Sequence, residues 1–305
     1  LCVTQKRNIK TAAELNVRFQ KKVMSNNPKK HHFVPEFYQK GFLSEDGELY
    51  AYKKTYGSLK SWTPSQILYK EHLHTISIKN ERTLMLEEFY SQIEGEFSKY
   101  VALLKENTDN TNLLADLGKD SDFIRLAKLL VAIQFWRTPC KKKLAIEYSS
   151  KLLALYDDSD DEIKEMLGYD LKFVKFISKR AKKDDSIKVI QFLLLPLLSF
   201  DLSKSTLNIK LFKAPKDKVL FSSDRPVVYD DLEKLFSFKS FLFPFSKDLL
   251  LLGVEKDINS VDINKVNMLI ENKAFETVIS GSKQQLEELK SNKSRQGTQQ
   301  SCAPA

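Results

Sequence analysis

Three cysteines in 305 residues, Cys2, Cys140 and Cys302, lie far apart and form no CxxC pair. Their scarcity excludes a disulfide framework and a structural zinc site of the usual spacing, and it fits a reducing compartment, so a cytoplasmic location is expected. Glycine is also sparse, at nine residues. No Walker loop, GxGxxG, HExxH, GxSxG or kinase set occurs, which argues against the common nucleotide-dependent and serine-hydrolase classes. A metal-dependent hydrolase needs no contiguous motif and stays open. Long apolar runs are missing too. The longest, Phe192 to Phe200, is interrupted by Pro196 and Ser199, and a membrane span needs ~18 residues. The basic opening segment has no compact apolar stretch, so a secretory signal is not expected. Arginine is the last shortage: eight of the 49 basic residues are Arg (7, 18, 82, 125, 137, 180, 225 and 295) and the others are Lys. The formal charge of +9 points to a nucleic acid or another polyanion as partner. Lysine nevertheless lacks the planar fork with which Arg grips phosphate, and on helices it is commonly plain solvation.

What is present is enough for a large core: 42% of residues are hydrophobic and 11% aromatic, ordinary for a globular chain of this length. Residues 1–28 read as a basic extension with a short helix, whose apolar positions Ala12, Leu15, Phe19 and Val23 have near-helical spacing. Residues 29–280 read as a single α+β domain. A helical layer over roughly residues 80–200 packs on a mostly antiparallel sheet, built from an N-terminal hairpin and C-terminal strands. Residues 281–305 turn to Lys, Gln, Glu and Ser and read as a polar tail, partly disordered.

Two histidines stand in Lys29-Lys30-His31-His32-Phe33-Val34-Pro35-Glu36-Phe37-Tyr38. Being adjacent, they point to opposite faces of a strand, so one faces inward and the other solvent. Pro35 holds Val34 extended, and Gly41 ends a short helical turn. A histidine here is either packed and bonded to backbone or a general acid/base or metal ligand. His72 and His74 share one face if they lie on a strand, but two ligands without a third seldom make a metal site, and both are read as strand-surface side chains. In the helix over 84–104, Glu87 and Glu94 are seven apart, about 10 Å along the axis, too far to grip one ion. The helix over 122–136 is apolar nearly all round, which makes it central. Gln134 and Arg137 on it are conspicuous, since uncompensated polar groups there are costly. Thr138-Pro139 ends it, so Arg137 either caps the last carbonyls or serves a site. Asp224, in Ser223-Asp224-Arg225-Pro226-Val227, is a ready turn former placed at a strand end, where catalytic groups are often mounted.

The string from His31 resembles the opening motif of the family called domain of unknown function 4238, in His31, Pro35, Phe37, Tyr38 and Phe42, with Gln39 where the family usually has leucine. The resemblance continues in Leu86-Glu87 and Ile93-Glu94, in Gln134-Phe135-Trp136-Arg137-Thr138-Pro139, in Ser223-Asp224-Arg225-Pro226-Val227 and in Phe243-Pro244-Phe245-Ser246. It spans most of residues 29 to 280. It implies that His31, Glu87, Glu94, Gln134, Arg137 and Asp224 matter together, although the activity of the family is not established. The leading expectation is a hydrolase acting on a phosphodiester or another anionic substrate in a common hollow. There His31 is acid/base, Arg137 stabilises developing charge, and Glu87 with Asp224 positions a water or a divalent metal. The alternative is a non-catalytic binding or effector module, for instance in microbial defence, whose polar residues form a structural hydrogen-bond network.

Overall fold

The computed structural model describes residues 29–78, 81–83, 85–106, 110–168, 170–205, 208–256, 258 and 260–300. The short helix expected over residues 11–24 lies outside them. The chain opens with β1 (Lys30–His32), helix α1 (Glu36–Lys40), the hairpin β2 (Leu49–Lys53) and β3 (Ser58–Trp62), then β4 (Tyr69–Glu71), β5 (Ile76–Ile78) and β6 (Glu81–Thr83). The helical stretch is α2 (Met85–Glu106), α3 (Thr111–Lys119), α4 (Ser121–Arg137), α5 (Lys142–Ser149), α6 (Leu152–Asp158), α7 (Asp161–Met166), α8 (Leu171–Ser178), α9 (Asp184–Val189) and α10 (Leu195–Leu198). After it come β7 (Ile209–Lys213), β8 (Ser222–Ser223), α11 (Leu232–Phe236), β9 (Phe241–Pro244), β10 (Leu249–Gly253), α12 (Ile263–Lys273), β11 (Thr277–Ser280) and α13 (Lys283–Gln300). The class is α+β, with a helical middle as the sequence suggests. No helix among the described residues is long and apolar enough to cross a membrane.

Every strand pair among the described residues is antiparallel. The N-terminal hairpin does share a sheet with C-terminal strands, in the order β3-β2-β11-β8. The other C-terminal strands form a second sheet, β7-β10-β9, so the expected single sheet is divided. At β9, β10 and β11 both faces of the sheets are covered, and the pleat shows it. Along β10, Leu249 and Leu251 pack with the helices while Leu250 and Leu252 pack with Ile263, Val266 and Ile270 of α12. Phe241 and Phe243 of β9 and Ile279 of β11 likewise face the helical core, with Leu242 and Val278 on the far side. Alternate residues of a strand point to opposite faces, so an uninterrupted leucine run is what a sheet buried on both sides requires. Leu286 of α13 is fully buried on that far side.

Three local features position the site. Helix α4 starts at Asp120, whose side chain accepts the Phe123 N–H at 2.9 Å, and from Phe123 to Arg137 every residue is buried. It ends where Pro139 holds Thr138 extended, with ψ at 125°. Between α9 and α10 the backbone widens into a π turn, Ile190–Leu194, closed by the Leu195 N–H on the Ile190 carbonyl. Pro196 has no N–H to offer the Phe192 carbonyl four residues back; the Tyr90 hydroxyl of α2 donates to it instead, at 2.8 Å. The segment Val219-Leu220-Phe221 has the Asn267 side-chain amide beside it in place of a ladder. Asn267 accepts from the Phe221 N–H at 2.9 Å and donates to the Val219 carbonyl at 2.8 Å.

Candidate functional site

The burial of β1 alternates. Lys30 is exposed, His31 buried and His32 between the two, as adjacent strand positions require. His31 lies opposite Lys70 of β4. After β4 the chain turns sharply at His72, whose φ of 54° is left-handed, a conformation histidine adopts more readily than most non-glycine residues. The turn leaves His72 exposed and carries His74 inside, where its side chain has no exposure. His72 and His74 are therefore not strand-surface neighbours, and the expectation for His74 is corrected: a tight turn, not a pleat, sets its direction. Its backbone N–H donates to Nδ1 of His31 at 3.0 Å.

Glu87, in the first turn of α2, completes the cluster. One oxygen, Oε1, lies 2.8 Å from Nδ1 of His74 and 3.1 Å from Nδ1 of His31. The three donor atoms that these residues offer all fall within 4.8 Å of one another. Glu87 is the member that meets solvent, its side chain 30% exposed against 2% for His31. The His74 ring stands T-shaped to those of Tyr90 and Phe192, at 5.0 and 4.9 Å, and its Nε2 has no hydrogen-bond partner in the structure. Burial drives the His74 imidazole down to about 3, against the raising effect of the Glu87 hydrogen bond. Burial acts to raise the Glu87 carboxyl, but its contacts with His31 and His74 and the charge of Arg137 outweigh this and hold it below the ordinary carboxylate range. Nδ1 of His31 has one in-plane position, so it cannot both accept the His74 amide and donate to Glu87. The amide bond has the fixed geometry, so the 3.1 Å approach to Glu87 brings two acceptors together with no proton between them.

Beside this cluster, Arg137 ion-pairs with Glu94 one α2 heptad beyond Glu87, and its guanidinium lies 4.2 Å from the centre of the Tyr90 ring. Its Nε is buried without a partner. Glu87 and Glu94 thus serve different neighbours, as their axial separation demands. Gln134 donates to the Phe33 carbonyl at 2.8 Å, tying the end of α4 to the chain just after His31. Asp224 takes no part in the cluster. Its two oxygens accept the N–H groups of Phe275, Glu276 and Thr277 at 2.8, 2.7 and 2.9 Å, which leaves little capacity for a water or a metal. The expected pairing of Glu87 with Asp224 is corrected to Glu87 with His74.

The expected common hollow is also two places. A cavity of about 460 Å³ is lined by Phe33, Trp62, Tyr69, Thr138, Arg225 and Phe275 among others, Asp224 included. His31, His74 and Glu87 are not in its wall; the cluster reaches solvent through Glu87. Tyr90 and His74 are the neighbours that sequence reading missed. The only sequence signal for His74 was the pair of histidines two apart, and its true partner is 43 residues upstream.

A family model described as protein of unknown function (DUF4238) matches residues 30–284. No curated protein and no solved structure matches the chain.

Proposed function

The chain belongs to DUF4238, a family of proteins of unknown function, and for it we propose hydrolysis of a phosphodiester or another anionic substrate at the His31–His74–Glu87 cluster. One observation carries the reading: a single carboxylate oxygen at 2.8 and 3.1 Å from two buried imidazoles, on a residue that still meets solvent. Packing alone does not call for such a set, and titratable groups held away from their ordinary range cluster at reacting sites. Glu87, kept ionised by its neighbours, takes the proton of an attacking water. The water oxygen forms its bond to phosphorus as the bond to the leaving oxygen breaks, and the proton that Glu87 has taken passes to that oxygen through His31, the acid/base that relays it. His74 fixes the orientation of the carboxylate. Arg137, buried and ion-paired, acts through its field on Glu87 and on developing negative charge. The net charge of +9 draws an anionic substrate in.

The test is incubation of the purified chain with DNA, RNA and nucleotides in the presence of Mg, Mn or Zn. Cleavage is expected, and it is expected to vanish in His31→Ala and Glu87→Gln. Uncut substrate in every mixture would sink the proposal.

A second reading has its own observation. Gln134, Arg137 and Asp224 all make internal contacts, to the Phe33 carbonyl, to Glu94 and to three backbone amides. A binding or effector module that uses these residues as a structural network would show the same contacts. Melting temperatures separate the two: Glu87→Gln leaves stability level or raised if the cluster is a reacting centre, and lowers it if the cluster is structural.

A further inference from the structure

Two imidazoles and one carboxylate are a donor set suited to a first-row transition metal, whereas magnesium and calcium prefer oxygen. Zinc and its neighbours hold nitrogen at about 2.0–2.1 Å and oxygen at about 2.0–2.2 Å, so ligands at tetrahedral angles lie about 3.3 Å apart, and the approaches to Glu87 need only open by a few tenths of an ångström to reach that spacing. Glu87 Oε1 lies 2.8 Å from His74 Nδ1 and 3.1 Å from His31 Nδ1. All three ligand atoms fall within 4.8 Å.

The proton positions favour the same conclusion. Nδ1 of His31 accepts the His74 amide, so it bears no proton and its approach to the carboxylate oxygen sets two acceptors against each other. With Glu87 ionised, Nδ1 of His74 donates to it at 2.8 Å and gives up that proton when it binds a metal, as a ligating histidine does. Its Nε2 is buried and has no hydrogen-bond partner. A cation shared among the three relieves the opposition between His31 Nδ1 and the Glu87 oxygen.

We propose that His31, His74 and Glu87 bind one divalent first-row transition metal ion, zinc-like in its preferences, with Glu87 on the solvent side and the remaining positions open. This rests on the reading of the cluster as the reacting centre and deepens it, since an ion there would supply the acidified water. Binding exchanges the hydrogen bond from the His74 amide for a metal bond. The nearby guanidinium of Arg137 is offset by Glu94, so the cation does not face an unpaired positive charge.

The experiment uses the full chain, stripped with a chelator and titrated with Co²⁺ by visible absorbance and with Zn²⁺ and Mg²⁺ by calorimetry. One equivalent of Co²⁺ or Zn²⁺ per chain is expected, with no Mg²⁺ uptake at the same concentration. His74→Ala should abolish binding, and Glu87→Gln, at a partly exposed position that leaves folding intact by circular dichroism, should weaken it roughly tenfold or more. No Co²⁺ or Zn²⁺ uptake by the wild-type chain, or uptake unchanged in Glu87→Gln, overturns the site. Metal uptake without cleavage of any substrate leaves the site standing and defeats the hydrolytic reading. Cleavage that survives chelation does the reverse.

Discussion

At Asp224 one carboxylate accepts three consecutive backbone amides, those of Phe275, Glu276 and Thr277. Asp224→Ala strands those donors, of which the Thr277 amide is buried and the other two partly so, and a buried donor left without a partner costs about 1–3 kcal/mol. We expect this variant to lose about 3 kcal/mol in a urea titration while Co²⁺ uptake stays at the wild-type level; a parallel loss of metal would return Asp224 to the site. His74 gives the residue scale its pH dependence. Its native value of about 3 lies below the ordinary 6.5, so between these values the unfolded chain holds a proton that the folded chain refuses. Stability is complete above 6.5 and falls as pH drops towards 3, by up to about 1.4 kcal/mol per pH unit. Glu87, held below the ordinary 4.5, adds a loss of the same sign once pH passes beneath that value. In chelator, the melting temperature should drop between pH 7 and pH 5 more steeply for the wild type than for His74→Phe. Equal slopes would remove His74 as the cause.

Helix α2 and the π turn before α10 depend on each other through one hydroxyl. Pro196 withholds an N–H from the Phe192 carbonyl, and Tyr90 donates to it at 2.8 Å. Tyr90→Phe should therefore cost about 1–2 kcal/mol. In a Pro196→Ala background, where an amide becomes available to that carbonyl, the same change should cost less, and a double-mutant cycle reads the difference directly. Additive effects would mean that the proline and the hydroxyl are unrelated. The pairing matters for the site because the Tyr90 ring contacts both His74 and the Arg137 guanidinium. The element that carries Glu87 thus also holds the aromatic wall behind it.

Across the whole molecule, the N-terminal and C-terminal ends of the domain lock together. A Cβ at Gly281 would lie 2.8 Å from backbone atoms of Phe42, Leu43 and Ser44, atoms that cannot swing aside as a side chain does. Gly281→Ala should destabilise the domain by about 1–3 kcal/mol in denaturant titration, and a neutral result would show that the two segments separate freely. The periodicity in the sequence was enough to predict the α+β class and the buried central helix α4, because hydrophobic spacing reports locally which face is covered. The sequence, through its family resemblance, also marked His31, Glu87, Glu94, Gln134, Arg137 and Asp224 as worth attention. What it did not contain was the direction of His74, the release of Asp224 into a backbone corner, the replacement of a ladder by Asn267 and the split of one sheet into two. Each depends on a turn or on a partner far along the chain: His74 meets a ring 43 positions earlier, and Asp224 meets amides 51 to 53 positions later. Local spacing encodes burial, whereas the meeting of two imidazoles on one carboxylate oxygen is decided only when β1, the turn at His72 and the first turn of α2 are packed against one another.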